Sequence, residues 1–195
     1  MPPDRAELDI GIISQAPSAK AVTDLNAKQA AAVIAQLHSV LPATDIKTVN
    51  FSVNPNYRFA KDGGSPEILG YTASNTVRLN VDDLSLIQKV IEVATKAGAN
   101  NVNRLSFLLR EEDKARAQAL GQAATQARAG AEALASSLNL KLGRIMSIEE
   151  GQPVIVSSSR QADISTAKAG SPAGPLEVGN IQIHASVNLT FEVTR

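Results

Sequence analysis

The chain has 195 residues, of which 44% are hydrophobic and 19% are charged, a composition typical of globular proteins. Its 19 basic and 19 acidic residues give a formal net charge of zero, and no basic stripe runs along it, so we expect no nucleic-acid partner. Cysteine is absent, which excludes disulfides, thiol catalysis and thiolate metal ligands.

The sequence contains no segment that predicts a membrane span, because no run approaches the length of about 18 apolar residues that a spanning helix needs. The N-terminal residues MPPDRAELDI also lack the apolar core of a signal peptide. We therefore predict a chain without a transmembrane segment.

The N-terminal half is predicted to contain two successive β-α-β units. Alternating apolar residues indicate strands, and apolar residues at helical spacing indicate helices that begin near Ser18 and Asp82 or Asp83. Gly98 is expected to stop the second helix in a left-handed conformation. The predicted elements are a strand over 6–14, a helix over 18–41, a strand over 46–53, a strand over 69–81, a helix over 84–97 and a strand over 102–109.

Residues 54–66, between these units, are predicted to form a flexible loop because they contain two prolines, two adjacent glycines and two asparagines. Tyr57 and Phe59 lie within this segment. Their rings could pack on a neighbouring subunit, or they could fold back over the core, and the sequence favours neither.

The C-terminal half begins with a long, alanine-rich helix, predicted over 111–138. A short strand over 142–150 follows, then a second flexible loop over 157–175, then one long amphipathic strand over 181–193. The whole chain is predicted to be a single domain, 1–195, of the α+β class. We expect an antiparallel sheet with helices on one face, formed by a ferredoxin-like β-α-β-β-α-β core that precedes the long helix and two strands.

The sequence offers no recognisable reactive constellation. The two histidines, His38 and His184, have no partner at the spacing of metal ligands. The acidic pairs Asp82/Asp83 and Glu111/Glu112 fit helix starts, and Glu149/Glu150 precede a glycine turn where a weak cation contact is conceivable. We therefore predict no catalytic, cofactor-binding or metal-binding residue and no cofactor.

Several segments together resemble the SIMPL-domain family, which includes YggE and the periplasmic immunogenic protein of Gram-negative bacteria. The segments are PPDRAEL at 2–8, NFSVNPNY at 50–57, GYTASNTVRLNVDDL at 70–84, AGANNVNRLSF at 97–107, ARAGAEALASSLNLKLGRIMSIEE at 127–150 and IQIHASVNLTFEV at 181–193. The resemblance implies an exported envelope protein, with an export signal removed from this chain, and carries no catalytic residues. It further implies ring-like homo-oligomers and, for some members, a link to oxidative-stress defence.

These observations lead to a non-enzymatic periplasmic protein that acts as a homo-oligomeric scaffold or interaction protein in oxidative-stress defence. The alternative is a periplasmic module that binds a small ligand or a peptide in a cleft between the sheet and the loops. A third hypothesis is an enzyme with an unrecognised site, for which Arg144, Glu149 and His184 are the best candidates.

Overall fold

The structure is a computed structural model, which describes residues 1–59, 65–151, 154–157 and 179–195. The chain divides into two compact units. The described part of the first unit is 4–59 and 65–108. The described part of the second is 1–3, 109–151, 154–157 and 179–195.

The first unit is a four-stranded antiparallel sheet with two helices. Its elements are β1 (Arg5–Ala16), α1 (Ala19–Leu37), β2 (Ile46–Arg58), β3 (Glu67–Val81), α2 (Ile87–Lys96) and β4 (Asn101–Leu108). The strand order is β2-β3-β1-β4, so β3 lies between β1 and β2. This interrupted β-α-β arrangement confirms the predicted ferredoxin-like core and the α+β class.

The core of the first unit forms because each strand places alternate residues on the face that α1 and α2 cover. In β1, Leu8, Ile10 and Ile12 are at most 1% exposed. The buried residues that pack with them include Val33 and Leu37 of α1, Val77, Leu79 and Val81 of β3, and Val90 and Ala94 of α2. The opposite face of the sheet, hereafter the open face, carries polar side chains.

The starts of α1 and α2 and the end of α2 agree with the predicted signals, whereas α1 ends at Leu37 and not at residue 41. The Ser18 side chain accepts a hydrogen bond from the Ala21 N–H at the start of α1. The Asp83 carboxylate accepts hydrogen bonds from the N–H and the hydroxyl of Ser85, where a short 3-10 helix leads into α2. Gly98 follows α2 with a φ of 116°, as the predicted left-handed stop requires.

The second unit combines a long helix with two-stranded sheets. Its elements are α3 (Glu112–Ser137), β5 (Lys141–Glu150), β6 (Val154–Ser157), β7 (Ile181–His184) and β8 (Val187–Thr194). Strand β5 pairs with β8 and β6 pairs with β7, both antiparallel. The long strand predicted over 181–193 is therefore interrupted at 185–186, and its two parts pair with different strands.

The predicted loop over 54–66 needs a correction. Its first residues, 54–58, belong to β2 and pair with β3 from Asn54 opposite Thr72 to Arg58 opposite Glu67. Pro55 is tolerated there because β2 is an edge strand, in which a missing N–H on the outer side costs no pairing. Residues 60–64 lie outside the described part of the chain.

The second predicted loop, over 157–175, lies almost entirely outside the described residues. Ser157 is the last residue of β6, where it pairs with Ile181. Among the described helices, none is both long enough and apolar enough to cross a membrane.

Candidate functional site

The end of the β2–β3 hairpin carries three exposed apolar side chains, Tyr57, Phe59 and Ile68, which we call the hairpin patch. They are 49%, 75% and 48% exposed. Tyr57 lies opposite Ile68 in the strand pairing, and the Tyr57 and Phe59 ring centroids are 6.4 Å apart at an angle of 44°. Both rings are exposed rather than folded back over the core, and packing on a neighbouring subunit stays a prediction.

The hairpin patch follows from the local strand geometry. A β-bulge between Asn56 and Tyr57 shifts the register of β2 against β3, and the strand then continues to Arg58. Phe59 directly follows the strand, and its ring lies beside that of Tyr57. Exposed aromatic residues that lie together on a surface are typical of protein–protein contacts.

The open face of the first unit contains an ion-pair cluster formed by Arg78, Asp9 and Glu7. The Arg78 guanidinium donates Nε and Nη2 hydrogen bonds of 2.8 and 2.9 Å to the two carboxylate oxygens of Asp9. A carboxylate oxygen of Glu7 lies 3.4 Å from Arg78 Nε. The hydrogen bond that Arg78 donates to Asp9 raises the pKa of Arg78, which stays protonated.

The sequence alone does not indicate this cluster. The pairing depends on register, because Asp9 lies directly opposite Arg78 on β1 and β3. Opposite charges at alternating positions of two strands are a signal for such a pair, but only once the two strands are known to be neighbours.

A second polar group is buried between α1 and the sheet. Asn26 is fully buried, and its Nδ2 donates to the Ile12 carbonyl oxygen at 2.8 Å and to the Ser14 hydroxyl at 2.9 Å. The Ser14 hydroxyl donates in turn to Gln29 Oε1 at 2.5 Å. Because each bond ties α1 to β1, we interpret this network as a device that fixes the position of the helix.

The three residues considered for an unrecognised enzyme lie on two strands of the second unit, Arg144 and Glu149 on β5 and His184 on β7. Arg144, on β5, donates from Nε to Glu192 at 3.0 Å and is 74% exposed. Glu149 lies five residues further along β5, opposite Asn188. His184 ends β7, opposite Val154 in the other strand pair.

Two other residues considered from the sequence, His38 and Glu150, have positions that the structure describes. His38 directly follows α1, and its backbone N–H donates to the Ile34 carbonyl oxygen at 3.1 Å. Glu150 binds Arg116 Nη2 at 2.6 Å, and this hydrogen bond raises the pKa of the arginine. Within the described ranges, no three His, Asp or Glu side chains are grouped so that they could hold a metal ion.

Comparison with known proteins gives a match over nearly the whole chain. A family model described as SIMPL, protein of unknown function (DUF541), matches residues 1–191 and so extends over both units. The 26 kDa periplasmic immunogenic protein of Brucella melitensis is 25% identical over 98% of this chain and 79% of the relative. The uncharacterized protein YggE of Escherichia coli is 28% identical over 85% of this chain and 69% of the relative.

Proposed function

Because the chain belongs to the SIMPL family, we propose that it is a non-enzymatic protein of the bacterial periplasm that works as a homo-oligomeric scaffold. The periplasmic location rests on the name of the Brucella relative, which is called a periplasmic immunogenic protein. The scaffold role rests on the surface of the first unit.

The hairpin patch is the observation that carries the proposal. Tyr57, Phe59 and Ile68 expose a large apolar area to water. Burying this area in a contact is favourable. Aromatic rings add specific edge and stacking contacts to this gain, and they dominate the energetics of many interfaces.

A second copy of the chain is the partner that we favour for this patch. The patch lies at the end of β2, which is an edge strand of the described sheet and so presents unpaired backbone groups alongside the apolar side chains. A formal net charge of zero also leaves little repulsion between two copies.

Light scattering coupled to size exclusion tests the self-association. We expect the wild-type mass to exceed that of the 20.5 kDa chain and the mass of the double variant Tyr57→Ser, Phe59→Ser to fall toward 20.5 kDa. Leu134→Ser is the matched control, because Leu134 is an apolar residue of α3 that is 69% exposed and does not belong to the hairpin patch. A wild-type protein that stays monomeric at high concentration contradicts the proposal.

The non-enzymatic role and the link to oxidative-stress defence are tested together in cells. A chain without cysteine has no thiol to reduce a peroxide, so the protection that we propose does not depend on thiol chemistry. In a strain that lacks the gene, we expect the triple variant Arg144→Ala, Glu149→Ala, His184→Ala to restore peroxide survival and the Tyr57→Ser, Phe59→Ser variant to fail. The opposite pattern would favour an enzyme.

A further inference from the structure

The second unit exposes three apolar side chains on strand β5, Ile145, Met146 and Ile148, which we call the β5 strip. They are 46%, 57% and 66% exposed. Ile145 lies opposite Phe191 and Ile148 lies opposite Leu189, so the two isoleucines share the face of these half-buried residues of β8. A register shift after Ile145 accounts for the spacing of three residues between the isoleucines.

The β5 strip lies on a strand with little support from its own sheet. Among the described strands, β5 and β8 pair only with each other. A two-stranded sheet is marginally stable in water unless it packs against another element. Exposed apolar side chains that lie together are typical of interaction sites, so we expect the β5 strip to be covered when the protein assembles.

The hairpin patch of a second copy matches the β5 strip in its chemistry. Each surface consists of three large apolar side chains that are about half exposed or more. A contact between a hairpin patch and a β5 strip buries both kinds of surface at once. A contact between two hairpin patches would leave the β5 strip of each copy in water, and the apolar area of these strips would contribute nothing to association.

Charged residues beside the two surfaces favour the same combination. Arg58 follows Tyr57 at the end of β2, and Glu149 follows Ile148 in β5. Both charged side chains are exposed, and within the described ranges neither forms an ion pair, although Arg58 lies opposite Glu67 in the strand pairing. Two like surfaces in contact would bring two arginines or two glutamates together, whereas a hairpin patch on a β5 strip brings an arginine to a glutamate.

We propose that the hairpin patch of one copy packs on the β5 strip of a second copy, with Arg58 beside Glu149 at the rim of the contact. The contact joins two different surfaces and is therefore heterologous, so each copy offers its hairpin patch to one neighbour and its β5 strip to another. This inference rests on the proposed self-association and adds to it the surface that receives the hairpin patch.

Mixing two defective variants tests the proposal on the full chain. The hairpin variant is Tyr57→Ser, Phe59→Ser, and the strip variant is Ile145→Ser, Ile148→Ser. In light scattering coupled to size exclusion, we expect each variant alone to have the 20.5 kDa mass of one chain. An equimolar mixture should form a species of about twice that mass, because the strip variant keeps its hairpin patch and the hairpin variant keeps its β5 strip.

The other outcomes of this experiment overturn the proposal. A strip variant that keeps the mass of the wild type means that the β5 strip takes no part in association. Two monomeric variants whose mixture also stays monomeric exclude a contact between the two different surfaces. In both cases the wild type still associates, so the inference fails while the proposed self-association stands. A wild type that is itself monomeric at high concentration removes both.

Charge reversal provides a second test that leaves the apolar surfaces intact. Arg58→Glu and Glu149→Arg should each weaken self-association about fivefold, because each change brings like charges together at the rim. The double variant Arg58→Glu, Glu149→Arg should regain the wild-type affinity, and Lys28→Glu, at an exposed position of α1, should not change it. Light scattering over a series of concentrations measures these affinities. A double variant without recovery overturns the proposal even if the strip variant misfolds.

Discussion

The two units of the molecule differ in how far they bury their apolar residues. In the first unit, β1 and β3 lie inside the sheet and α1 and α2 cover one face, so Leu8, Val77 and their neighbours are completely buried. In the second unit, β5 and β8 form a two-stranded sheet, and Ile145, Met146 and Ile148 are between 46% and 66% exposed.

This difference shows what an alternating pattern can and cannot indicate. Strands β3 and β8 both alternate apolar and polar residues, and both are strands. The pattern tells which side chains share a face, but the depth of burial depends on the number of neighbouring strands and on the layer above them. For the second unit, the sequence therefore predicts which apolar residues share a face, but it does not predict how far they are buried.

The largest expected effect comes from truncating a core leucine in one unit and an exposed leucine in the other. Leu8→Ala leaves a cavity in the core and should reduce the free energy of unfolding by about 3 kcal/mol. Leu134→Ala, at a residue 69% exposed on α3, should change it by less than about 0.5 kcal/mol. Urea unfolding followed by circular dichroism measures both values.

The result for Leu134→Ala tests whether this apolar residue of the second unit is also exposed in solution. A loss close to that of Leu8→Ala would mean that this leucine is covered there, for example by another copy of the chain. Repeating the Leu134→Ala measurement at several protein concentrations would reveal such cover, because stability that depends on association depends on concentration.

Much of the fold could be predicted from the sequence, for local reasons. Ser18, Asp83 and Gly98 mark helix ends through hydrogen bonds and backbone conformations that involve only nearby residues. The break after His184 could not be predicted, because Ile183 and Val187 continue the alternation on both sides of it. The two segments differ only in the strands with which they pair.

The candidate surfaces were harder to predict than the fold. Tyr57 and Phe59 are contact candidates from the sequence, yet Tyr57 lies in β2 and not in the loop that the prolines, glycines and asparagines of 54–66 predict. The ion-pair cluster requires Asp9 and Arg78 to be neighbours, which the pairing of β1 with β3 provides. These properties depend on strand order, which local patterns do not encode.

Two arginine ion pairs, one in each unit, are expected to make contributions of intermediate size to the free energy of unfolding. Arg78→Ala leaves the carboxylate of Asp9, whose side chain is only 11% exposed, without its bidentate partner, and should reduce the free energy of unfolding by about 2 kcal/mol. Arg144→Ala removes a pair whose side chains are 74% and 48% exposed, and should cost less than about 0.5 kcal/mol. Urea unfolding measures both.

The stability contributions of these two ion pairs should also differ in their dependence on salt. The small contribution of Arg144 should disappear in high salt, whereas most of the Arg78 contribution should persist, because a charge pair shielded from water is screened less. Equal losses for the two variants would indicate that the open face of the first unit is as well hydrated as the β5–β8 sheet.

The smallest expected effect concerns the helix start at Asp83 in the first unit. Hydrogen bonds from the hydroxyl and the N–H of Ser85 lower the pKa of Asp83, so the folded protein favours the ionised carboxylate more than the unfolded chain does. The resulting stability is present above the ordinary aspartate pKa of about 3.9 and is lost as the pH falls through the lower, folded value.

Asp83→Asn keeps an acceptor for the Ser85 N–H but removes the titration. The wild type should therefore be slightly more stable than the variant near pH 7, and the difference should shrink as the pH falls below about 4. Urea midpoints across this range test the prediction. A difference that stays constant at every pH would mean that the cap acts through hydrogen-bond geometry alone and that the charge of Asp83 adds nothing to the first unit.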